Sequence, residues 1–302
     1  MGKNLTYEEF SAKLLLFGEY TVLTGSSSLA IPFSGYQFRF CNTRKNQFSG
    51  LVKSFYDFLK SIDFSEYDTT FYHSEFEKAF MGGLYFESNI PIGYGLGSSG
   101  AFTAAVYNKF FKKVETASPE ELRMLFSAIE NFFHGKSSGI DPLIIYLNQG
   151  IFRDKNKNII PIDFNLTAFG NLSLSLINSG ISRSTAHYVS IFNHKIGYSD
   201  FLENEIHPLS EINNKVISGL MEKGSGFDLF PYFKDISKRQ FMFFKEMIPK
   251  NIYPIWEASL KLEDHAIKLC GAGGGGFFYL LSRDRSAFRQ AFPKIEVINI
   301  YN

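Results

Sequence analysis

Two stretches of this 302-residue chain hold residue types that can do chemistry in company. The first is Gly93-Tyr94-Gly95-Leu96-Gly97-Ser98-Ser99-Gly100. Glycines let backbone N–H groups curl toward an anion, and a following helix adds partial positive charge at its N-terminus. Two hydroxyls add donors or a metal ligand. The segment reads as a phosphate cradle, since a tight strand-to-helix turn by itself needs only one or two glycines. Gly95 to Gly100 also satisfies G-x-G-x-x-G, but a dinucleotide site needs an acid about 20 residues on, ending a second strand. Glu115, Glu120 and Glu121 flank or open a helix instead. No Gly-Lys-Ser/Thr closes the loop, so the Walker pattern fails as well.

The second stretch runs from Glu130 to Asp141, across His134-Gly135-Lys136-Ser137-Ser138-Gly139. Phosphoryl transfer to an alcohol needs one carboxylate on Mg²⁺ and another to accept or orient the hydroxyl proton. Two acids separated by a turn suit those roles. Taken alone, each has a plainer explanation: Glu130 as a solvated helical acid, and Asp141 as a helix N-cap before Pro142. His134 has no metal-ligand spacing to a second His or Cys, and reads as a structural hydrogen-bonding group. No nucleophilic triad is recognisable, so hydrolase chemistry has little support.

Two further segments are weaker. Lys268-Leu269-Cys270-Gly271-Ala272-Gly273-Gly274-Gly275-Gly276 implies close backbone approach, either to a ligand or to a neighbouring loop. Lys13, beside Gly18-Glu19-Tyr20, could place its charge on a phosphate or beside Asp141; alone it would be a surface lysine.

The elements that must position these residues form a mixed α/β (α+β) pattern. Residues 12–17 read as a buried strand ended by Gly18, residues 28–40 as further strands, and 84–90 as a strand stopped by Pro91. Residues 51–60 have helical spacing, with Leu51, Phe55, Phe58 and Leu59 on one face. A helix is expected over 99–111. Ser118-Pro119-Glu120-Glu121 starts another that runs to residue 134. Residues 157–165 are polar and broken by Pro161, which places a domain boundary near 165. Residues 171–177 alternate and predict a half-buried strand. Helices should fill 198–270, with late strands at 277–281 and 295–300.

Composition bounds the answer. Apolar residues make up 45% and charged residues 20%, enough for a sizeable core. The net charge of +1 gives no polyanion-binding face, so nucleic acid is a poor partner. Two cysteines, Cys41 and Cys270, read as reduced thiols in a cytoplasm. No apolar run approaches the roughly 18 residues that span a bilayer, so no membrane partner is expected. Residues 1–6 fit a myristoylation pattern, short enough to arise by chance. The 34 Phe are best explained as core.

Taken together and in order, the segments resemble the GHMP kinase superfamily, named for galactokinase, homoserine, mevalonate and phosphomevalonate kinases. Residues 13–25 (KLLLFGEYTVLTG) are similar to its first motif, 91–101 (PIGYGLGSSGA) to its phosphate-binding second, and 268–276 to its third. Within it, the mevalonate kinase family is the nearest match, through its H-G-x-x-S-G-x-D motif with a Glu eleven residues before the Asp, here Glu130 and His134 to Asp141. Ser182-Arg183-Ser184-Thr185 is similar to its P-R-S-T, with Ser182 in place of Pro. One departure stands out: Gly18-Glu19-Tyr20 replaces the usual Gly-Glu-His and looks more like phosphomevalonate kinases.

The resemblance implies a two-domain fold with ATP and substrate between the domains. The N-terminal domain, 1–165, would be ribosomal-protein-S5-domain-2-like and bind ATP. The C-terminal domain, 166–302, would be ferredoxin-like. It implies ATP and Mg²⁺ as cofactors, and mevalonate, phosphorylated on its 5-hydroxyl, as the small alcohol substrate for isoprenoid precursor synthesis. The alternatives are a phosphomevalonate kinase or another GHMP kinase and, from a different class, a catalytically silent ATP-fold binding protein, against which the intact set of Lys13, Ser99, Glu130 and Asp141 argues. The enzyme would be cytoplasmic, a monomer or homodimer. Asp141 would be the catalytic base or alcohol orienter, with Lys13 its electrostatic partner that also steadies the phosphate. Gly95, Leu96, Gly97, Ser98, Ser99 and Gly100 would hold ATP. Ser99 and Glu130 would hold Mg²⁺. Glu19, Tyr20, Arg183, Thr185, Gly273 and Gly274 would line the substrate side.

Overall fold

The computed structural model describes residues 8–43 and 45–301. The myristoylation-type start lies outside the described residues. The chain divides into two compact units. The first comprises the segment ending at Lys13, then Pro32–Pro91 and Leu96–Gln149. The second comprises Leu14–Ile31, Ile92–Gly95 and the segment from Gly150 onward.

In the first unit, strand β1 (Glu9–Phe17) contributes its N-terminal half, and β2 (Ser28–Asn42) its C-terminal part, which pairs antiparallel with β3 (Leu84–Ser88). Five helices complete it: α1 (Gly50–Leu59), α2 (His73–Met81), α3 (Ser98–Phe110), α4 (Pro119–His134) and α5 (Ile140–Leu147). Helix α3 is buried without a break from Gly100 to Tyr107, as a helix that is apolar all round must be. It packs against α4 and α5. The phenylalanines do form this core. Phe55 meets Phe102 with ring centroids 4.9 Å apart, and Phe76 meets Phe80 at 4.7 Å. Helix α4 begins as its sequence demands: Ser118 accepts from the Glu121 backbone N–H, Glu121 reaches back to Ser118, and Pro119 opens the first turn.

In the second unit, the N-terminal part of β2 pairs with β4 (Gly150–Arg153), which pairs with β5 (Ile159–Ile162). A second sheet runs in the order β7-β8-β6-β9, all antiparallel, from β6 (Ser173–Asn178), β7 (His265–Leu269), β8 (Phe277–Ser282) and β9 (Val297–Tyr301). Its helices are α6 (Thr185–Lys195), α7 (Ser199–Phe201), α8 (His207–Lys223), α9 (Leu229–Phe243), α10 (Tyr253–Ser259) and α11 (Arg285–Ala291).

Several expectations need correction. Leu51 is exposed, and the buried face of α1 is Val52, Phe55, Tyr56 and Leu59. Asp141 does not cap α5; Gly139 does, and Asp141 lies in the first turn. The polar stretch 157–165 contains β5, where Pro161 is tolerated because β5 pairs only with β4 among the described residues. Strand β6 is buried on both faces, not half-buried, since its serines also face protein. Residues 265–269 form a strand, not part of a helix.

Candidate functional site

The chain passes from one unit to the other between Gly95 and Leu96, inside the glycine loop. Each unit therefore carries its own share of the predicted residues.

In the first unit, Lys13 lies on β1 with its backbone N–H donating to Leu96 O at 3.0 Å. Its Nζ stands 3.0 Å from Asp141 Oδ2. A buried lysine beside a carboxylate is the opposite of a solvated surface lysine. Gly97 caps α3 with φ +78°, and a Cβ there would lie 3.0 Å from Lys13 Cγ. Glycine thus gives both the left-handed turn and the room for Lys13. No side chain caps α3, so the first-turn N–H groups around Ser98, Ser99 and Gly100 have no side-chain partner. At Gly100 the helix runs hard against α5: a Cβ would lie 2.9 Å from Pro142 N and 3.0 Å from Asp141 Cβ.

Glu130 is 3% exposed near the end of α4, which overturns its plain reading as a solvated acid. Ser99 donates to Glu130 Oε1 at 2.8 Å, and Ser137 donates to Oε2. His134 Nε2 lies 2.9 Å from Ser99 Oγ, the structural hydrogen bond expected of it. Burial, and then the nearby Asp141 charge, push the Glu130 carboxyl up to about 7, against the opposing pull of the two serines and Lys13.

These features fit a magnesium nucleotide. A buried carboxylate paired with a hydroxyl is a donor set Mg²⁺ uses when phosphate and water complete its shell. The free N–H groups of α3 start in the same loop as Ser99. No cluster of three or more His, Cys, Asp or Glu that could hold a metal by itself occurs among the described residues.

In the second unit, Glu19 is buried and paired with Lys268, whose ammonium also lies over the Tyr279 ring at 4.5 Å. Burial pushes the Glu19 carboxyl up and the Lys268 ammonium down, and each charge opposes that in the other. Glu19 is thus placed as an internal partner of the third glycine segment. Tyr20 adopts φ 63°, packs on Phe192 and Phe244, and donates to Ala272 O at 2.5 Å. Burial raises its phenol strongly, so it stays protonated and donating.

Arg183 donates to Thr185 at the start of α6, and its guanidinium lies over Gly95 and Gly271. The third glycine segment is packed by protein. A Cβ on Gly274 would fall 1.9 Å from the Tyr188 ring, and one on Gly273 would fall 2.6 Å from Met247 O. Here close packing under neighbouring loops explains the glycines. Lys195 donates to Phe243 O and Glu246. Neither Cys41 nor Cys270 forms a disulfide.

Sequence reasoning gave no role to Ser137, Lys268 or Tyr188. The first two stood inside named segments, but their partners are set by tertiary packing, which spacing does not reveal.

Residues 60–149 match the family model described as GHMP kinases N terminal domain. The mevalonate kinase of Pyrococcus abyssi is 23% identical over 300 residues, covering 90% of this chain and 87% of that protein. L. major mevalonate kinase, solved with R-mevalonate, superposes with a TM-score of 0.63 at 15% identity, covering 99% of this chain and 96% of its own. Streptococcus pneumoniae phosphomevalonate kinase, solved with phosphomevalonate and AMPPNP, gives a TM-score of 0.61 at 14% identity, covering 98% and 100%. The mixed fold with antiparallel sheets is the fold of these kinases. The matched segment carries Ser99, Glu130 and Asp141, so this part of the chain is similar to the N-terminal domain of GHMP kinases, and the whole chain shares the fold of the mevalonate kinase structure.

Proposed function

We propose that this chain is an ATP-dependent kinase that phosphorylates the 5-hydroxyl of mevalonate. The observation that carries the reading is the Lys13–Asp141 ion pair, held in the same unit as the Ser99–Glu130 pair. Phosphoryl transfer asks a protein mainly for positioning and charge stabilisation.

Asp141 accepts or orients the proton of the attacking hydroxyl, and Lys13 holds its charge in place. Gly95 to Gly100 and the first turn of α3 receive the nucleotide phosphates. Ser99 and Glu130 would hold Mg²⁺, which when bound neutralises phosphate charge. Arg183, Thr185, Tyr20 and Glu19 serve the substrate side, with Gly273 and Gly274 closing it. Tyr20 and Glu19 act there through the loop they fasten, since both are buried. The division into an ATP-binding domain over 1–165 and a second over 166–302 belongs to this reading, as do a cytoplasmic location and a monomer or homodimer. No helix among the described residues is long and apolar enough to cross a membrane.

A second reading, phosphomevalonate kinase, draws on Tyr20 and on the likeness to the pneumococcal enzyme. It needs spare cations for a substrate phosphate. Lys136, His187 and Lys195 are the basic residues that could supply them; Lys195 is committed to Glu246 and Phe243 O, which leaves Lys136 and His187.

A coupled ADP-release assay against mevalonate, phosphomevalonate, homoserine and galactose tests both. Preference for mevalonate is expected; preference for any other acceptor overturns the reading. Asp141→Asn should cut kcat by orders of magnitude, and near-normal turnover would remove Asp141 from its role.

A further inference from the structure

Glu130 has two carboxylate oxygens and two hydroxyl partners. Ser99 takes Oε1 at 2.8 Å, and Ser137 takes Oε2. Ser99 is the residue read as a cation ligand with Glu130; Ser137 has had no role. Its surroundings show how firmly it is placed. Its backbone N–H donates to Asn131 Oδ1 at 2.7 Å, and its carbonyl accepts from Ser127 Oγ at 2.7 Å. Its hydroxyl accepts from the Gly139 N–H at 3.0 Å. Asn131 and Ser127 both lie on α4, the helix that carries Glu130. Ser137 is thus tied back to that helix at three points. The hydroxyl's only proton is spent on Oε2. A carboxylate with one oxygen fixed in this way cannot rotate, so Oε1 stays turned toward Ser99.

We propose that Ser137 is a positioning residue for the divalent cation: it pins Oε2 of Glu130 so that Oε1 and the Ser99 hydroxyl present one ready-made seat. This rests on the reading that Ser99 and Glu130 hold the metal of a metal nucleotide. Hydrogen-bond partners of ligating carboxylates orient them, and their loss typically weakens metal binding by about 10–100-fold.

The test is calorimetric, with no turnover involved. ADP affinity is measured with Mn²⁺ and again with EDTA, for wild type, Ser137→Ala, Ser137→Thr, Ser127→Ala and Glu130→Gln. Wild type should bind ADP more tightly with Mn²⁺, and Glu130→Gln should lose that gain. Ser137→Ala should lose roughly tenfold of the Mn²⁺-dependent affinity and keep its metal-free ADP affinity. Ser137→Thr, which keeps the hydroxyl, should behave as wild type. Ser127→Ala loosens the same turn without touching Glu130 and should also behave as wild type.

An unchanged Mn²⁺ gain in Ser137→Ala overturns the inference. So does an equal loss in Ser127→Ala, because the effect would then be the turn's and not the hydroxyl's. Should Ser137→Ala fail to fold, Ser137→Cys, a near-isosteric weak donor, must show the same loss, and its failure to do so is equally decisive. A wild-type protein that binds ADP no better with Mn²⁺ sinks the kinase reading itself; a wild type that gains while Ser137→Ala gains equally sinks this inference alone.

Discussion

At the scale of single residues, Glu130 is the most informative group in the chain. Its carboxyl is buried, close to Asp141, and raised to about 7. An acid whose folded-state pKa lies above its unfolded value favours folding while protonated, so its contribution is fully present below about 4.5. It is lost as pH rises through about 7. Glutamine mimics the neutral form and does not titrate. In metal-free protein, wild type should therefore match Glu130→Gln near pH 4.5 and fall behind it by roughly 1–3 kcal/mol at pH 8. Urea midpoints of both proteins at the two pH values measure this. A stability difference that does not change with pH would mean that Glu130 is not held in the environment described. The sequence shows the acid but not its burial: Glu130 stands between Ile129 and Asn131 near the end of α4, and the Ser99 and Ser137 hydroxyls that meet it are brought there by tertiary packing. By contrast, the pairing of Lys13 with Asp141 was legible once the motifs were aligned in order, because their residue types already supplied opposite charges.

At the scale of elements, the site depends on how closely α3 and α5 approach. Gly100 allows it: there is no room for a Cβ against the backbone nitrogen of Pro142. Backbone cannot rotate away as a side chain can, so Gly100→Ala must push the first turn of α5 outward, and Asp141 lies in that turn. A misplacement of about 1 Å can cost a reaction on the order of 100-fold. Gly100→Ala should lower kcat by that order while metal-free ADP affinity, measured by calorimetry, changes much less. Equal losses in both would place the strain in the nucleotide loop instead. The same element scale shows where pattern reading works. Helix α4 carries a Ser cap, Pro in its first position and acids in its first turn, all local signals, and its bounds were legible. Helix α6 was not expected, because only Phe192 along it is buried and it has no apolar stripe to read. Strand β7 was hidden for a different reason. Lys268 interrupts its apolar run, and the distant Glu19, with the Tyr279 ring, makes a buried lysine there tolerable.

At the scale of the whole molecule, the net charge of +1 leaves no long-range field to gather an anionic nucleotide, so binding must come from local donors. Those donors are the first turn of α3 and Lys13, with the Ser99–Glu130 pair acting through the metal it would hold, all in the first unit. Asp141 is not among them in the proposed mechanism: it handles the acceptor's proton. Binding to the folded state alone stabilises a protein by mass action, by about 2.7 kcal/mol when ligand stands at 100 times its Kd. At about 2.1 cal/mol/K of unfolding entropy per residue, that corresponds for a chain of this size to a rise in Tm of about 4 °C. Asp141→Asn removes the charge that handles the acceptor proton and leaves every proposed phosphate donor in place. Under Mg²⁺ and ADP its Tm should therefore rise as far as the wild type's, although its turnover is lost. Glu130→Gln should gain less than either, since its nucleotide binds without the metal's help. Thermal shift across the three proteins reads this directly. If Asp141→Asn loses the ligand-induced rise together with its turnover, Asp141 is part of the nucleotide seat, and the division of labour between the two acids is wrong.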